Sequence, residues 1–211
     1  MMRRLNFFIA VFFAMLTLPS LAQEVELGKH YTLVEPPLAS SAPAGKIEVV
    51  EFFSYGCPHC ADFHPIVNIW ANKLPKDVSL RKVPVSFNRP AWARLAAMYY
   101  SMESSGDLAK LESALFKALH QERATFSDDQ AFVTWAGGKG GDTKKISEAL
   151  AGFGMQSRIR RGDQEATAAR IGGVPAIVVG GRYLVNNSGA NGYEDLLRIT
   201  DALIAKARQT K

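Results

Sequence analysis

The only two cysteines of the chain, Cys57 and Cys60, form a C-x-x-C pair with Pro58 and His59 between them. A disulfide between residues so close in sequence closes a very small loop, and it removes little entropy from the unfolded chain. Thiols at this spacing can instead exchange with other disulfides, because a thiolate attacks a disulfide sulfur. The pair therefore indicates redox reactivity and not a structural bridge.

The segments on either side of the pair predict how it is positioned. Residues 46–53 (KIEVVEFF) are rich in β-formers and almost continuously apolar, which is typical of a buried central strand. Residues 58–73 predict a helix, in which Pro58 is tolerated at the first turn and Pro65 is expected to cause a kink. The core-facing stripe of this helix consists of Cys60, Phe63, Val67, Trp70 and Leu74.

This arrangement places Cys57 at a helix N-terminus, where unpaired N–H groups and the macrodipole favour an anion. His59 can add a hydrogen bond or a positive charge, and both favour the thiolate. Cys57 is therefore the predicted nucleophile and Cys60 its buried partner. A stabilised thiolate makes the disulfide form more oxidising, by about 30 mV for each unit by which the pKa falls.

A zinc site is the alternative interpretation, since Cys57, His59, Cys60 and His64 are four potential ligands close together. However, His59 lies inside the cysteine loop, and no second C-x-x-C or H-x-x-x-H pattern follows. We therefore expect no metal and no organic cofactor. His64 is predicted to be an ordinary helix residue, either exposed or hydrogen bonded.

The composition is that of a globular protein: 47% of the 211 residues are apolar, 21% are charged and the net charge is +5. The basic residues are scattered, which argues against nucleic-acid binding. Residues 1–22 have a basic start, an apolar stretch and small residues before Gln23. This pattern predicts a cleaved signal peptide, although an uncleaved membrane anchor is the competing interpretation.

The rest of the chain follows an α/β pattern that is interrupted by helices. Residues 31–34 are a candidate edge strand, and 78–85 predict a strand parallel to the first. Residues 89–161 contain successive amphipathic segments and are interpreted as an inserted helical subdomain. After 172–175 (GGVP), a strand, a Gly180-Gly181 turn and a returning strand predict a hairpin, followed by a helix from Tyr193 to Ala207.

Three motifs together resemble the DsbA family of periplasmic thiol:disulfide oxidoreductases. They are CPHC at 57–60, EFFS at 51–54 and GVP at 173–175 before the hairpin. The resemblance implies a thioredoxin fold (23–88 and 162–211) that is interrupted by the helical insertion domain (89–161). The implied activity is donation of a disulfide to newly exported, unfolded proteins. The implied partner is a quinone-linked membrane oxidase of the DsbB type, which reoxidises the pair.

The resemblance also assigns roles to residues away from the cysteines. From the sequence alone, Glu51 is a strand-end or ion-paired residue; the family implies a buried acid that assists proton transfer at Cys60, with Lys82 as a supporting partner. Sequence alone predicts a trans Val174-Pro175 bond, whereas the family implies a cis proline facing the dithiol. Val174, Pro175 and Tyr55 are the expected substrate contacts, although Tyr55 can equally be a core aromatic.

One departure from the family concerns Gly56, where some members carry an aromatic residue, so the rim of the site is expected to be less apolar here. Glu48 is expected to be exposed. Three other functions compete with the oxidase: an isomerase or reductase, a peptide-binding chaperone with a passive disulfide, and an exported metal carrier. An isomerase usually needs a dimerisation domain, for which the chain has no spare length, and we expect a monomer.

Overall fold

The computed structural model describes residues 25–210. The predicted signal peptide, 1–22, lies outside the described residues. Between residues 25 and 210, no helix has both the length and the apolar character that crossing a membrane requires.

Within the described residues, five strands form one mixed sheet in the order β1-β5-β4-β2-β3. Strand β2 is buried along its whole length because it has a neighbour on each side and helices on both faces. It pairs parallel with β3, which confirms the predicted crossover, and antiparallel with β4. The antiparallel pairing of β4 with β5 confirms the predicted hairpin. The strands are β1 (Tyr31–Leu33), β2 (Ile47–Phe53), β3 (Val78–Pro84), β4 (Ala176–Val179) and β5 (Tyr183–Val185).

Helix α1 (Pro58–Ala71) follows β2 and packs on one face of the sheet. Its Phe63 and Val67 are fully buried, as the predicted stripe requires. The last helix, α7 (Tyr193–Gln209), covers the same face of the sheet. The apolar face of β2 thus holds α1 in place, and the amino end of α1 lies next to the carboxyl end of the strand.

Five helices lie between β3 and β4: α2 (Pro90–Ser105), α3 (Leu108–His120), α4 (Asp129–Gly138), α5 (Thr143–Ala151) and α6 (Met155–Ala168). All five contribute to one apolar core, which is centred on residues such as Met102, Leu111 and Phe132 and extends to the active-site turn and its two cysteines. Helix α6 ends at Ala168, two residues before Arg170 takes up a left-handed backbone with φ 56°.

Helix α6 runs without a break through residue 162, the predicted domain boundary. Its first half, with Met155 and Ile159, packs into the helical core. Its second half, with Ala166, packs against the second face of the sheet. One helix is thus shared by both parts, and the division at 162 stays a prediction.

Asp163 of α6 also fixes the connection between β3 and α2. Its carboxylate accepts hydrogen bonds from the Ser86 amide at 2.7 Å and the Phe87 amide at 3.2 Å. Phe87 and Asn88 both have positive φ angles, 47° and 60°. Side chains with a Cβ rarely adopt this backbone, so the bonds to Asp163 help to hold the turn that leads into the insertion.

Candidate active site

Cys57 occupies the N-cap position of α1, with an extended backbone, and α1 begins at Pro58. The chain turns sharply after β2, since the Ser54 carbonyl accepts a hydrogen bond from the Cys57 amide at 3.1 Å. Both cysteines are free thiols. Cys57 is 7% exposed and Cys60 only 1%, so Cys57 is the more accessible sulfur, as predicted.

The surroundings of Cys57 favour its thiolate and lower its pKa to about 6. The largest contribution is a hydrogen bond from the Cys60 thiol. Burial opposes it, and the backbone amides of Cys60 and His59, together with the His59 charge, add to it. The same hydrogen bond and burial raise the pKa of the donor Cys60 far above its usual range. The two thiols are therefore unequal: Cys57 ionises first, and Cys60 keeps its proton.

The loop before β4 faces the thiol, and its Val174-Pro175 peptide bond is cis, as the family resemblance implies. The Cys57 thiol donates to the Val174 carbonyl at 3.3 Å. Val174 is half-buried and Pro175 is buried. The predicted pair of Val174 and Pro175 thus lies directly beside the predicted nucleophile.

Two further residues hold this loop and the active-site turn: Asn187, whose loop was a candidate substrate contact in the sequence, and Tyr193, which the sequence did not single out. The Asn187 side-chain amide donates to the Pro175 carbonyl at 2.7 Å. The Tyr193 hydroxyl donates to the His59 carbonyl at 3.1 Å. A polar Asn/Gly loop at 186–189 was the only signal for Asn187. Tyr193 carried no signal beyond its place at the start of α7.

The prediction that Tyr55 contributes to a substrate surface is wrong. Its side chain is completely buried and packs against Phe53, Tyr99 and Phe116. The Tyr55 carbonyl accepts a hydrogen bond from His120 Nε2 at 2.7 Å. The aromatic ring points into the core between sheet and insertion, where its hydroxyl is buried without a hydrogen-bond partner among the described residues.

Glu51 is buried at the centre of the sheet, only 3% exposed, and its Oε2 atom has no hydrogen-bond partner within the described part of the chain. Burial raises its pKa to about 7; the nearby Lys82 charge opposes this effect and the Glu112 charge adds to it. The predicted pairing of Lys82 with Glu51 is not a direct contact. Lys82 Nζ lies 2.7 Å from Glu112 Oε1 and 2.8 Å from Asn68 Oδ1 instead.

Two other ionisable side chains near the sheet are also buried. His64, predicted to be either exposed or hydrogen bonded, is buried and pairs with the Ser113 hydroxyl at 2.8 Å. The expectation that Glu48 is exposed is wrong, since it is buried and pairs with Arg81 at 2.9 Å. Burial alone raises the pKa of Glu48, but hydrogen bonds from Arg81 and Ser41 outweigh it and hold that pKa below its usual value.

Gly56, the residue before the nucleophile, lies under an indole ring from the insertion. A Cβ at this position would lie 2.7 Å from Trp92 Nε1 and 3.2 Å from a methyl carbon of Leu95. The guanidinium of Arg89 lies 4.7 Å above the Trp92 ring. The half-buried Trp92 thus places an aromatic ring beside Gly56, and the expectation of a less apolar rim stays a prediction.

The family model described as the DSBA-like thioredoxin domain matches residues 48–200, well over half of the chain. This chain belongs to the DsbA family. A thiol:disulfide interchange protein DsbA from Bordetella parapertussis is 38% identical over 194 residues, covering 92% of this chain and 91% of the relative. The Pseudomonas aeruginosa DsbA of strain PAO1 is 34% identical over 206 residues, covering 96% and 97%.

Solved DsbA structures share the fold. A crystal structure of Pseudomonas aeruginosa DsbA matches with a TM-score of 0.81 and 35% identity, over 87% of this chain and 94% of that one. The Xylella fastidiosa oxidoreductase DsbA matches with a TM-score of 0.80 and 31% identity, over 88% and 98%. These relatives confirm the thioredoxin-like fold with its helical insertion. They also confirm the activity class, a protein thiol:disulfide oxidoreductase.

DsbA proteins work through a redox-active cysteine pair, and in this chain that pair is Cys57 and Cys60. Among residues 25–210, no three His, Cys, Asp or Glu side chains are grouped so that they could hold a metal ion. His59 is exposed at the surface and His64 is engaged by Ser113. His59 and His64 therefore do not form a metal-binding group with the two cysteines in the described part of the chain.

Proposed function

We propose that this DsbA-family protein is a dithiol oxidase that donates its Cys57–Cys60 disulfide to newly exported proteins. The observation that carries this proposal is the inequality of the two sulfurs: the pKa of Cys57 falls to about 6 at the amino end of α1, while Cys60 holds its proton. A stable Cys57 thiolate is a good leaving group and favours the reduced protein. A disulfide that is easily reduced is one that is readily passed on.

The reaction proceeds in two exchanges. A substrate thiolate attacks the Cys57 sulfur, the Cys57–Cys60 bond breaks, and the Cys60 sulfur leaves with the electron pair. A second thiolate of the substrate then attacks the substrate sulfur that is bonded to Cys57, and Cys57 leaves as a thiolate. The substrate loses two electrons and gains a disulfide, and the protein ends with Cys57 and Cys60 reduced.

Glu51 is the proposed proton carrier for Cys60, with Lys82 in a supporting role. The Cys60 sulfur is buried and has to be protonated when it leaves the disulfide, because an ionised thiol is disfavoured there. Glu51 is buried close enough for its charge to act on Cys60. Because its pKa is raised to about 7, Glu51 can hold a proton and release it near neutral pH.

The substrate segment is proposed to bind in an extended conformation along the Val174-Pro175 loop. The Val174 peptide group lies beside the Cys57 sulfur and is only half-buried. A chain placed there can form main-chain hydrogen bonds of the kind seen in strand addition. Such bonds involve only backbone groups and do not depend on the side chains of the substrate, which suits an enzyme that acts on many unfolded proteins.

The cellular setting follows from the same proposal. We place the protein in the periplasm, after cleavage of the signal peptide at 1–22, as a monomer without a metal or organic cofactor. A DsbB-type membrane oxidase would restore the disulfide. The division into a thioredoxin-like domain (23–88 and 162–211) and a helical insertion domain (89–161) belongs to the proposal as well.

The deciding experiment is the redox equilibrium of the Cys57–Cys60 pair against glutathione, with thiols counted by alkylation and mass. We expect glutathione to reduce the pair readily. A pair that stays oxidised in strongly reducing buffer would be a reductant or a structural bridge, and the oxidase proposal would fail. Cys57→Ser should abolish disulfide donation to a reduced, unfolded substrate, whereas a chaperone would retain its function in this variant.

A further inference from the structure

The Lys82 side chain behind the active site is half-buried, and its ammonium is held by one residue of the helical insertion and one of α1. Lys82 of β3 lies beside Glu51 in the strand register, yet its ammonium contacts Glu112 of α3 at 2.7 Å and Asn68 of α1 at 2.8 Å. Glu112 is 8% exposed, so the pair is shielded from water. Glu112 comes from the insertion, and no motif in the sequence marks it.

The contact between Lys82 and Glu112 changes the electrostatic environment of the Glu51 carboxyl group. A buried carboxylate next to an ammonium that is free to turn toward it would be held ionised, because an opposite charge within a few ångströms lowers an acid's pKa. Here the ammonium already has a carboxylate partner, and that partner adds a negative charge of its own near Glu51. Among residues 25–210, one carboxylate oxygen of Glu51 has no hydrogen-bond partner.

We propose that Glu112 is a positioning residue for the reaction: by holding Lys82, it keeps Glu51 without a partner and able to carry the proton that Cys60 takes up. This inference rests on the proposed role of Glu51. In the oxidising direction, the Glu51 carboxylic acid gives its proton to the departing Cys60 sulfur and becomes a carboxylate. In reoxidation, the carboxylate takes the proton back from the Cys60 thiol.

Other ionisable groups face Glu51 from each element packed around it. None of the remaining ones supplies a compensating positive charge near neutral pH. Burial, together with the Lys82 charge, lowers the pKa of His64 to about 4, so this ring is neutral. Burial raises the pKa values of Tyr55 and Tyr99. Among residues 25–210, those that interact electrostatically with Glu51 are Lys82 of β3, Glu112 of α3, Cys60 of α1, Tyr99 of α2 and Tyr55 of the active-site turn, while His64 of α1 lies 4.0 Å from Glu112.

The test is to follow the titration of Glu51 itself, by isotope-edited NMR of the glutamate side-chain carboxyl carbons in the reduced protein. The Glu51 signal is assigned from the Glu51→Gln spectrum. Glu112→Gln should lower the midpoint of Glu51 by about one pH unit or more, because Lys82 is released and a negative charge is lost. An unchanged midpoint in folded Glu112→Gln would overturn the proposal.

The matched control is Glu48→Gln, which removes another buried carboxylate from the same strand. Glu48 pairs with Arg81 on the opposite face of the sheet, so its loss should leave the Glu51 midpoint in place. A Glu51 midpoint that falls equally in Glu48→Gln would show a general charge effect and count against Glu112.

A second variant covers the case in which Glu112→Gln folds poorly, since removing one partner of a buried pair is costly. Lys82→Met/Glu112→Gln removes both partners and leaves no unpaired charge. If Glu112 neutralises Lys82 in the native protein, the Glu51 midpoint of this double variant should stay near the wild-type value. A displacement of about one pH unit or more in either direction would contradict the inference.

These outcomes are independent of the oxidase proposal. The Glu51 titration is measured without substrate, and the glutathione equilibrium is measured without reference to Glu51. If glutathione reduces the pair readily but the Glu51 midpoint is unchanged in Glu112→Gln, the proposed function is supported and this inference is refuted. If the Glu51 midpoint falls in Glu112→Gln but glutathione does not reduce the cysteine pair, the oxidase proposal fails. The control of Glu51 by Glu112 is then still supported.

Discussion

Cys57 owes its reactivity to short-range contacts around one sulfur atom. The hydrogen bond from Cys60 contributes most, and the amides at the start of α1 and the His59 charge act in the same direction. His59 is exposed, so its imidazole can be removed without leaving a cavity in the core. A substitution of His59 can therefore change the pKa of Cys57 with little effect on the stability of the fold.

His59→Ala should raise the pKa of Cys57, because a charge that favours the thiolate is lost. We expect a rise of about one unit, which makes the pair about 30 mV less oxidising. Ultraviolet absorbance of the thiolate, followed against pH, measures the first quantity, and the glutathione equilibrium measures the second. Lys117→Ala removes an exposed cation from α3 and serves as the control. An equal effect in both variants would mean that His59 acts only through the overall field.

Glu51 is costly to the fold at neutral pH, and this cost has a defined pH window. Its pKa rises from 4.5 in an unfolded chain to about 7 in the folded protein, so the folded state binds the proton more tightly. Stability therefore falls as the pH rises from 4.5 to 7, and the full penalty applies above 7. The difference is on the order of 3 kcal/mol.

Glu51→Gln should remove this penalty. We expect the variant to be more stable than the wild type above pH 7 and to lose that advantage below pH 4.5. Urea unfolding at several pH values gives the two free energies of unfolding. Equal stability differences at pH 8 and pH 4 would show that Glu51 does not titrate between the two.

At the scale of elements, the contact of α2 with the active-site turn sets the residue that precedes the nucleophile. The Trp92 indole occupies the space into which a side chain at Gly56 would point. The ring is also fixed from outside by Arg89 and Phe87. A larger residue at 56 must therefore displace a ring that has little freedom to move.

Gly56→Ala should destabilise the protein by about 1–3 kcal/mol through overpacking. Adding Trp92→Ala to this variant should make the Gly56→Ala step nearly neutral, because the obstructing ring is gone. The midpoints of urea unfolding of the four proteins complete the cycle. Gly138→Ala in α4, where a Cβ would meet nothing within 4 Å, is the control and is expected to stabilise the helix slightly. A Gly56→Ala protein as stable as the wild type would refute the steric argument.

The elements were largely predictable because their signals are local. The apolar run of β2, the stripe of α1 and the Gly180-Gly181 turn depend on neighbouring residues, and the structure confirms them. The role of Asp128 as a helix cap is equally local: its side chain accepts a hydrogen bond from the Ala131 amide at 2.8 Å.

The residues of the site could be predicted only where they belong to a recognisable sequence motif. The cysteines and Pro175 stand in recognisable motifs, whereas Glu112 meets Lys82 from 30 residues away. No periodicity encodes a contact between two distant segments. The same limit explains the errors: burial of Glu48 depends on Arg81 and Glu165 arriving from other elements, and burial of Tyr55 depends on α2 and α3.

At the scale of the whole molecule, the low pKa of Cys57 links redox state to stability. The thiolate is favoured only in the folded, reduced protein; its pKa is about 6 there, against 9.0 for an ordinary cysteine. The contribution is fully present above pH 9 and is lost as the pH falls through 6. The oxidised protein has no such thiolate.

The reduced protein should therefore gain stability over the oxidised protein as the pH rises from 6 to 9. Denaturant unfolding of both forms across this range gives the difference in the free energy of unfolding. Cys57→Ser cannot form the disulfide, and its stability relative to the oxidised wild type should show no such rise between pH 6 and 9, since Cys60 retains its proton. A constant difference between the two forms would mean that the thiolate does not stabilise the reduced fold.

Because α6 belongs to both cores, the helical region is not a detachable module. A designer who trims the chain at residue 162 to obtain a minimal redox domain would cut α6 in two, and the remaining half would lose its first turns. The trimmed protein would lack Trp92 above Gly56 and Glu112 beside Lys82 as well. Any miniaturised version has to graft replacements for these two side chains before its cysteines can be compared with those of the parent.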